Sequence, residues 1–194
     1  MFSLLEKVQE PLSLLEVQTS TCMPVLIDVD LKSEEKKNLY QREQVQTVVS
    51  ALQKVLHASL ENVDKAQLTC YLLEKTSPYF CEKAKIWKHG FHLHCPYLFL
   101  TRFQLEKNII PDLLCDLRRI YSENPNYLPC APDFLIDPCI YRGKGKSWFI
   151  LGCGKAKMPY QVTMKYNFLQ QGVSIKQHRP TAALMKAFSI HLSA

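Results

Sequence analysis

Apolar positions recur with two different periods along the chain, and these periods predict its secondary structure. Nearly continuous apolar stretches at Pro24–Leu31 and Gly90–Leu100 predict two strands. Helical spacing of apolar residues predicts two amphipathic helices, at Leu39–Leu60 and Gln104–Ser122. The remaining predicted features are short apolar runs at Leu68–Glu74, Phe134–Ile136 and Trp148–Leu151, a strand at Gln161–Phe168, and a helix at Thr181–Ile190 opened by Pro180.

Strands mixed with helices in no strict alternation are typical of an α+β fold. We therefore expect one central sheet, mixed or antiparallel, with helices packed on it. The chain has 194 residues, which is enough for one domain with a proper core. We predict that residues 1–194 form a single domain.

The composition indicates a folded protein with an anionic partner. Hydrophobic residues make up 47% and charged residues 22% of the chain, so nothing suggests disorder. Lysine and arginine number 24 against 18 acids, and the net charge of +6 favours an anionic partner without identifying one. The segment Met1–Glu16 fits neither a signal peptide nor a membrane span, so we expect no membrane partner.

The eight cysteines lie far apart, and no Cys-x-x-Cys pair occurs. A structural zinc site usually takes at least one close pair, so this spacing argues against zinc. We expect free thiols and therefore a reducing, intracellular compartment.

Two aspartates end the first predicted strand. Residues i and i+2 of a strand point to the same face, so Asp28 and Asp30 would present two carboxylates side by side, while Val25, Ile27 and Val29 face the other way. Two hard oxygen ligands on a rigid edge suit magnesium or manganese. The alternative is an edge strand with two solvated acids leading into a turn.

Two histidines follow the same alternation on the second predicted strand. His92 and His94 would share a face, and Gly90 would allow close backbone approach of a ligand. The alternative is a pair of half-exposed histidines on an ordinary sheet. Two acids and two histidines nevertheless make a more polar face than a core sheet requires.

A third acid, Asp137, directly follows the apolar run Phe134–Ile136, and if this run is a strand the acid lies at its end. It precedes Tyr141 and a group of cations, Arg142, Lys144, Lys146, Lys155 and Lys157, interleaved with glycines. These features are compatible with a turn and a solvated hairpin tip. They also offer a metal ligand beside backbone amides and cations that can hold phosphates. Three carboxylates, a histidine and a basic glycine-rich turn are the parts that two-metal nucleotidyl transfer requires.

The order of these motifs resembles the archaeo-eukaryotic primase superfamily. Its hydrophobic-Asp-x-Asp, small-x-His and hydrophobic-Asp motifs match Leu26–Asp30, Gly90–His92 and Leu135–Asp137. In detail the chain is most similar to the primase half of the primase-helicases of nucleocytoplasmic large DNA viruses, and the match spans residues 24–157. The resemblance implies an RRM-like primase-polymerase core.

The resemblance also implies roles for individual residues. Asp28, Asp30 and Asp137 would bind two Mg²⁺ or Mn²⁺ ions, and His92 would contact the phosphates of the incoming nucleotide. The further candidates for nucleotide or template contacts are His94, Lys88, Arg142, Lys144, Lys146 and Lys155. Relatives usually place an arginine in the strand after the third aspartate, whereas Ser147–Leu151 has none, which makes Lys146 or Lys155 the obvious substitutes.

The implied activity is that of a DNA-directed primase or primase-polymerase. It would make short primers from nucleoside triphosphates on a single-stranded DNA template. No Gly-x-x-x-x-Gly-Lys-Ser/Thr phosphate loop occurs, so we expect a catalytic domain whose full-length polypeptide also carries a helicase domain. By analogy with such viruses, the expected location is the host cytoplasm.

Two other functions fit parts of the pattern. His92-Leu93-His94 also fits the His-hydrophobic-His motif of rolling-circle nicking enzymes, with Tyr160 or Tyr166 as nucleophile. That hypothesis leaves the three aspartates without a joint role. A non-catalytic nucleic-acid-binding module would use the sheet for stacking and the lysines for phosphates, but acids on its binding face would repel the backbone.

Overall fold

The computed structural model describes residues 3, 14–17, 20–141, 147–154, 158–176 and 181–190. The strands are β1 Leu15–Val17, β2 Cys22–Val29, β3 Lys32–Ser33, β4 Cys70–Glu74, β5 Tyr79–Cys81, β6 Ile86–Lys88, β7 Phe91–Thr101, β8 Ser147–Phe149, β9 Gln161–Tyr166 and β10 Val173–Ser174. The helices are α1 Arg42–Ser59, α2 Arg102–Gln104, α3 Ile110–Glu123 and α4 Ala182–Ala187, with a π-helical segment at Leu105–Ile109. Short 3₁₀ turns lie at Pro125–Tyr127, Pro132–Phe134 and Pro138–Ile140.

A five-stranded sheet in the order β10-β9-β4-β7-β2 forms the centre of the fold. A three-stranded sheet, β3-β6-β5, and the strand pair β1-β8 accompany it. Every strand pairing among the described residues is antiparallel. The predicted α+β class with a central sheet is confirmed, and of the two sheet types expected the antiparallel one is present.

Strands β2 and β7 alternate between an apolar face and a polar face, as their sequences predict. Val25, Ile27 and Val29 are at most 1% exposed and belong to the main hydrophobic core. Helix α1 contributes a buried stripe to this core, formed by Val45, Val48, Val49, Leu52 and Leu56. Burial of this stripe against the sheet provides most of the driving force for the helix, because helices in proteins are stabilised mainly by packing of an amphipathic face.

The second predicted helix is interrupted in a way that the periodicity does not show. The N–H of Ile110 donates to the carbonyl of Leu105, which is the i to i−5 bond of a π-helix. The α-helix resumes at Ile110, and Pro111, which has no N–H, lies in its first turn, where that missing donor costs little. The last helix, α4, begins after Thr181, whose Oγ1 accepts from Leu184 N at 3.3 Å. Pro180 lies outside the described residues.

The apolar run Phe134–Ile136 is not a strand, and this part of the prediction is wrong. Two 3₁₀ turns, Pro132–Phe134 and Pro138–Ile140, surround Asp137. Each turn has a proline at its first position, where the missing N–H costs nothing and the fixed φ favours a turn over a paired strand. The charged segment after Asp30 begins with β3, which pairs with β6.

Gly90 is required by the protein's own backbone, and its predicted role in the approach of a ligand stays a prediction. A Cβ atom at this position would lie 1.9 Å from the carbonyl oxygen of Val29. Real Cβ atoms essentially never come this close to another atom, so no larger residue fits unless the two strands move apart. Gly90 therefore keeps the start of β7 against the end of β2.

None of the helices in the described ranges is long and apolar enough to cross a membrane.

All eight cysteines lie within those ranges and are free thiols.

We expect Gly90→Ala to lower the free energy of unfolding by about 3 kcal/mol, the upper end of the range for over-packing, because the clash is with backbone. Urea denaturation would measure this loss. Gly172→Ala is the comparison, since the atoms nearest to its Cβ would be side-chain atoms of Tyr166 and Met164, and we expect a smaller loss there. A midpoint for Gly90→Ala equal to that of the parent would contradict the role of this contact.

Candidate active site

Asp28 and His92 face each other across neighbouring strands. They are directly paired in the register of β2 and β7, and His92 Nε2 lies 3.3 Å from Asp28 Oδ1. The side chain of His92 is only 7% exposed, whereas that of Asp28 is 24% exposed. The carboxylate thus remains accessible, and the imidazole behind it is held by the sheet.

Asp137 is attached to the same strand through its backbone. Its N–H donates to the carbonyl oxygen of Asp28 at 2.9 Å. Its carboxylate accepts from Cys139 N at 2.8 Å and so caps the turn Pro138–Ile140. Four residues further on, the buried hydroxyl of Tyr141 donates to the carbonyl oxygen of Leu26. Burial raises the pKa of the Tyr141 hydroxyl, which keeps it protonated as a donor.

Asp30 lies beyond the end of β2 and forms an ion pair with Lys88. Lys88 Nζ is 2.5 Å from Asp30 Oδ2, and Lys32 Nζ is 4.0 Å from the same oxygen. Burial acts to lower the pKa of Lys88, but the hydrogen bond to Asp30 and the attraction of its charge outweigh burial and raise it. Lys88 therefore stays cationic and neutralises Asp30.

Two aromatic rings hold the imidazole of His92 in place. Tyr160 stacks on it with ring centroids 3.9 Å apart and planes inclined by 23°. The ring centroid of Trp148, on β8, lies 4.2 Å from that of His92. Burial is the main cause that raises the pKa of the Tyr160 hydroxyl, with the nearby Asp28 charge adding to it. Tyr160 is therefore suited to packing rather than to forming a phenolate.

These groups line one pocket with a volume of about 320 Å³. Its polar and charged lining comprises Asp28, Asp30, Lys75, Ser77, Tyr79, Lys88, His89, His92, Asp137, Ser147 and Tyr160. The structure thus brings together all three predicted aspartates, His92 and Lys88.

Lys75 is a member of this pocket that sequence reasoning missed. It is only 7% exposed, and its Nζ lies 3.5 Å from the ring centroid of Tyr79 and 5.2 Å from that of Tyr160. Such cation–π contacts help a buried ammonium group retain its charge. The sequence offers only one signal, a lysine directly after the buried strand β4, and this signal belongs to no motif.

The three carboxylates are the kind of ligand that a divalent metal prefers, but their oxygens do not surround a common point in this structure. Among the described residues, no group of three or more His, Cys, Asp or Glu side chains is arranged to hold a metal ion. Asp30 is held by Lys88, and Asp137 is bonded to its own turn. Three carboxylates lining one pocket are nevertheless the hard oxygen donors that Mg²⁺ and Mn²⁺ prefer.

His94 shares the face of His92 but does not line this pocket. It is fully buried, and within the described part of the chain neither ring nitrogen has a hydrogen-bond partner. Phe188, just after α4, packs edge-on against it with ring centroids 4.9 Å apart. The nicking-enzyme hypothesis needs His92 and His94 on one metal, whereas here one faces a carboxylate and the other a phenyl ring.

The four other predicted contacts, Arg142, Lys144, Lys146 and Lys155, lie outside the described residues.

The comparisons with known proteins confirm the predicted resemblance at the level of the superfamily. The chain belongs to the archaeo-eukaryotic primase (AEP) class, because the family described as the C962R protein N-terminal AEP domain matches residues 1–166. It is 28% identical over 182 residues to "Putative helicase 121R" of Invertebrate iridescent virus 3, and 28% identical over 181 residues to "Putative helicase 184R" of Invertebrate iridescent virus 6. Each alignment covers 80% of this chain and 18% of the viral protein, so the chain spans about a fifth of the length of these relatives. AEP membership implies an enzyme of the nucleotidyltransferase type.

The burial of His94 predicts a pH dependence of stability. Burial lowers its pKa from 6.5 to about 3 in the folded chain. Between these values the unfolded chain binds the extra proton, so the His94 contribution to stability is complete above about pH 6.5 and is lost as the pH falls. His94→Leu should reduce the slope of unfolding free energy against pH by about 1.4 kcal/mol per unit between pH 6 and 4. Urea denaturation at several pH values would measure it, and parallel slopes for variant and parent would contradict the assignment.

Proposed function

We propose that this chain is the catalytic domain of a DNA-directed primase or primase-polymerase, which makes short primers from nucleoside triphosphates on single-stranded DNA. The observation that carries the proposal is the arrangement of the three AEP motifs in one pocket. Asp28 pairs with His92 at 3.3 Å, and the backbone of Asp137 is bonded to that of Asp28 at 2.9 Å. Family membership supports the same reaction class.

Asp28 and Asp137 are the residues that would hold divalent metal, joined by Asp30 once Lys88 releases it. When bound, Mg²⁺ or Mn²⁺ lowers the pKa of the attacking 3′-hydroxyl and neutralises charge on the triphosphate. The aspartates supply the oxygen donors for this, and the accessible carboxylate of Asp28 faces the pocket.

The cations of the pocket would bind the triphosphate. Lys88 can release Asp30 and bind a phosphate oxygen instead. This exchange supplies a phosphate contact and also frees the carboxylate of Asp30 to bind metal. His92 Nε2 can donate to a phosphate oxygen in the direction where it now meets Asp28. Lys75 adds a third positive or donor group to the pocket, beside Tyr79 and Tyr160. Because Tyr160 stacks on His92 and Trp148 packs against it, its ring needs no reorientation when substrate arrives.

The relatives suggest where this domain works. Both are named putative helicases and come from invertebrate iridescent viruses, and this chain matches about a fifth of their length. We propose that the full-length polypeptide also carries a helicase domain and acts in viral DNA replication in the host cytoplasm. Priming on single strands exposed by the helicase would then occur within one molecule.

Loss of a carboxylate should abolish synthesis without unfolding the chain. In an assay with labelled nucleotides, Mn²⁺ or Mg²⁺ and an unprimed single-stranded DNA template, we expect Asp28→Asn and Asp137→Asn to lower primer synthesis at least about 100-fold. Removing even outer-shell partners of a metal typically costs 10–100-fold. Both variants keep the side-chain volume, and asparagine can still cap the turn after position 137.

The matched control is Asp133→Asn, four residues before Asp137. Asp133 is exposed and pairs with Arg118 at 2.5 Å, away from the pocket lining. We expect this variant to keep parental synthesis. Equal synthesis by the parent and both pocket variants would refute the proposed catalytic role, as would the absence of synthesis by the parent. A covalent protein–DNA adduct would instead identify a tyrosine nicking enzyme.

A further inference from the structure

A second pocket, with a volume of about 410 Å³, adjoins the candidate active-site pocket and shares Lys75 and His89 with it. Apart from Lys75, its charged lining groups among the described residues are Arg42 and Glu74, which neutralise each other at 2.6 Å. The other polar side chains of its lining are neutral: Asn38, Tyr40, Gln41, Thr76, His89, Gln161 and Thr163. The second pocket therefore offers neutral donors and acceptors, whereas the first is lined by acids and lysines.

His89 is held firmly on the border between the two pockets. Its Nδ1 accepts from Leu39 N at 3.1 Å, and its backbone N–H donates to the carbonyl oxygen of Leu31 at 3.1 Å. Tyr40 stacks on the ring with centroids 4.5 Å apart and planes inclined by 17°. The Tyr40 hydroxyl in turn donates to Glu74 at 2.7 Å. The imidazole therefore has little freedom to turn.

The hydrogen bond from Leu39 determines which ring nitrogen of His89 carries the proton. Burial lowers the pKa of His89, so the ring is neutral near neutral pH and holds a single proton. Because Nδ1 accepts, this proton is on Nε2. In the part of the chain that the structure describes, Nε2 has no hydrogen-bond partner, although His89 is only 8% exposed. A fixed donor is thus available beside the two pockets.

We propose that the second pocket binds the nucleoside half of an incoming nucleoside triphosphate, with His89 Nε2–H donating to a hydroxyl oxygen of the sugar. The inference rests on the proposed function, which assigns the triphosphate to the lysines of the first pocket. A nucleoside is joined to its phosphates through the 5′ oxygen, so it has to lie directly beside them. The second pocket meets this condition because it borders the first at Lys75 and His89.

The chemistry of the two pockets matches the two halves of this ligand. Phosphates and metal ions need the cations and carboxylates of the first pocket. Sugar hydroxyls need neutral donors and acceptors in fixed positions, which the second pocket supplies. A free anion would find no unpaired arginine there, because Arg42 is already bound to Glu74.

The test compares the binding of three ligands in the presence of Mg²⁺, namely ATP, 2′,3′-dideoxy-ATP and inorganic tripolyphosphate, by isothermal titration calorimetry. We expect His89→Asn to weaken ATP binding about fivefold, the effect of one net hydrogen bond. Asparagine keeps an acceptor near the position of Nδ1 but has no donor at that of Nε2. Binding of the other two ligands should not change, since neither has a sugar hydroxyl.

Two further variants serve as controls. His89→Gln can donate from the position of Nε2, because its side chain is longer, and it should bind ATP more tightly than His89→Asn does. His57 is exposed on α1 and lines neither pocket, so His57→Asn should bind all three ligands as the parent does. Thermal unfolding of each variant verifies that the fold is kept.

Parental ATP binding by His89→Asn would overturn the inference. An equal loss for ATP and the dideoxy nucleotide would also overturn it, because His89 would then act without contacting a sugar hydroxyl. The same conclusion would follow if the parent bound ATP no more tightly than tripolyphosphate.

These outcomes are separable from those of the proposed function, which is tested by primer synthesis. A loss confined to ATP in a chain that makes no primers would retain the nucleoside site and reject the primase. Primer synthesis by the parent, together with equal losses for ATP and the dideoxy nucleotide, would retain the primase and reject the sugar contact.

Discussion

The candidate site depends on how the two sides of β2 are paired. One side pairs with β7, and the other accepts hydrogen bonds from the segment that carries Asp137. β2 is the last strand of the central sheet, so among the described residues one side of it has no strand neighbour. On that side the carbonyls of Leu26 and Asp28 accept from the Tyr141 hydroxyl and the Asp137 N–H. An exposed edge is normally a liability. Here a loop covers it and carries the third aspartate to the first.

Register matters because a shift of one residue would turn every side chain of β2 to the other face. Such a slip would place Asp28 in the core and one of the buried apolar residues opposite His92. At the end of the strand pair where the site lies, this alignment brings position 90 so close to the Val29 carbonyl that only glycine fits. The packing of the core face and the chemistry of the polar face therefore depend on the same alignment.

Local patterns predicted the parts that depend on short stretches of sequence. The alternation in β2 and β7, the helical stripe of α1 and the motif residues Asp28 and His92 can all be read locally. The sequence could not show that His94, with the same spacing as His92, is enclosed by Phe188, because that contact joins residues far apart in the chain. Long-range contacts likewise place Lys75 in the pocket, and strands of two or three residues leave no periodicity to detect.

The most direct test of the account is whether Asp28 and Asp137, joined by one backbone hydrogen bond, act as a single metal site. Binding of Mn²⁺ can be followed by electron paramagnetic resonance in the presence of a nucleoside triphosphate, comparing the parent with Asp28→Asn, Asp137→Asn and the distant Asp133→Asn. The predicted result is Mn²⁺ binding by the parent and Asp133→Asn, with strongly weakened binding by each of the other two. Binding by Asp137→Asn as tight as that of the parent would contradict the account, because the loop docked on β2 would then contribute nothing to the metal site.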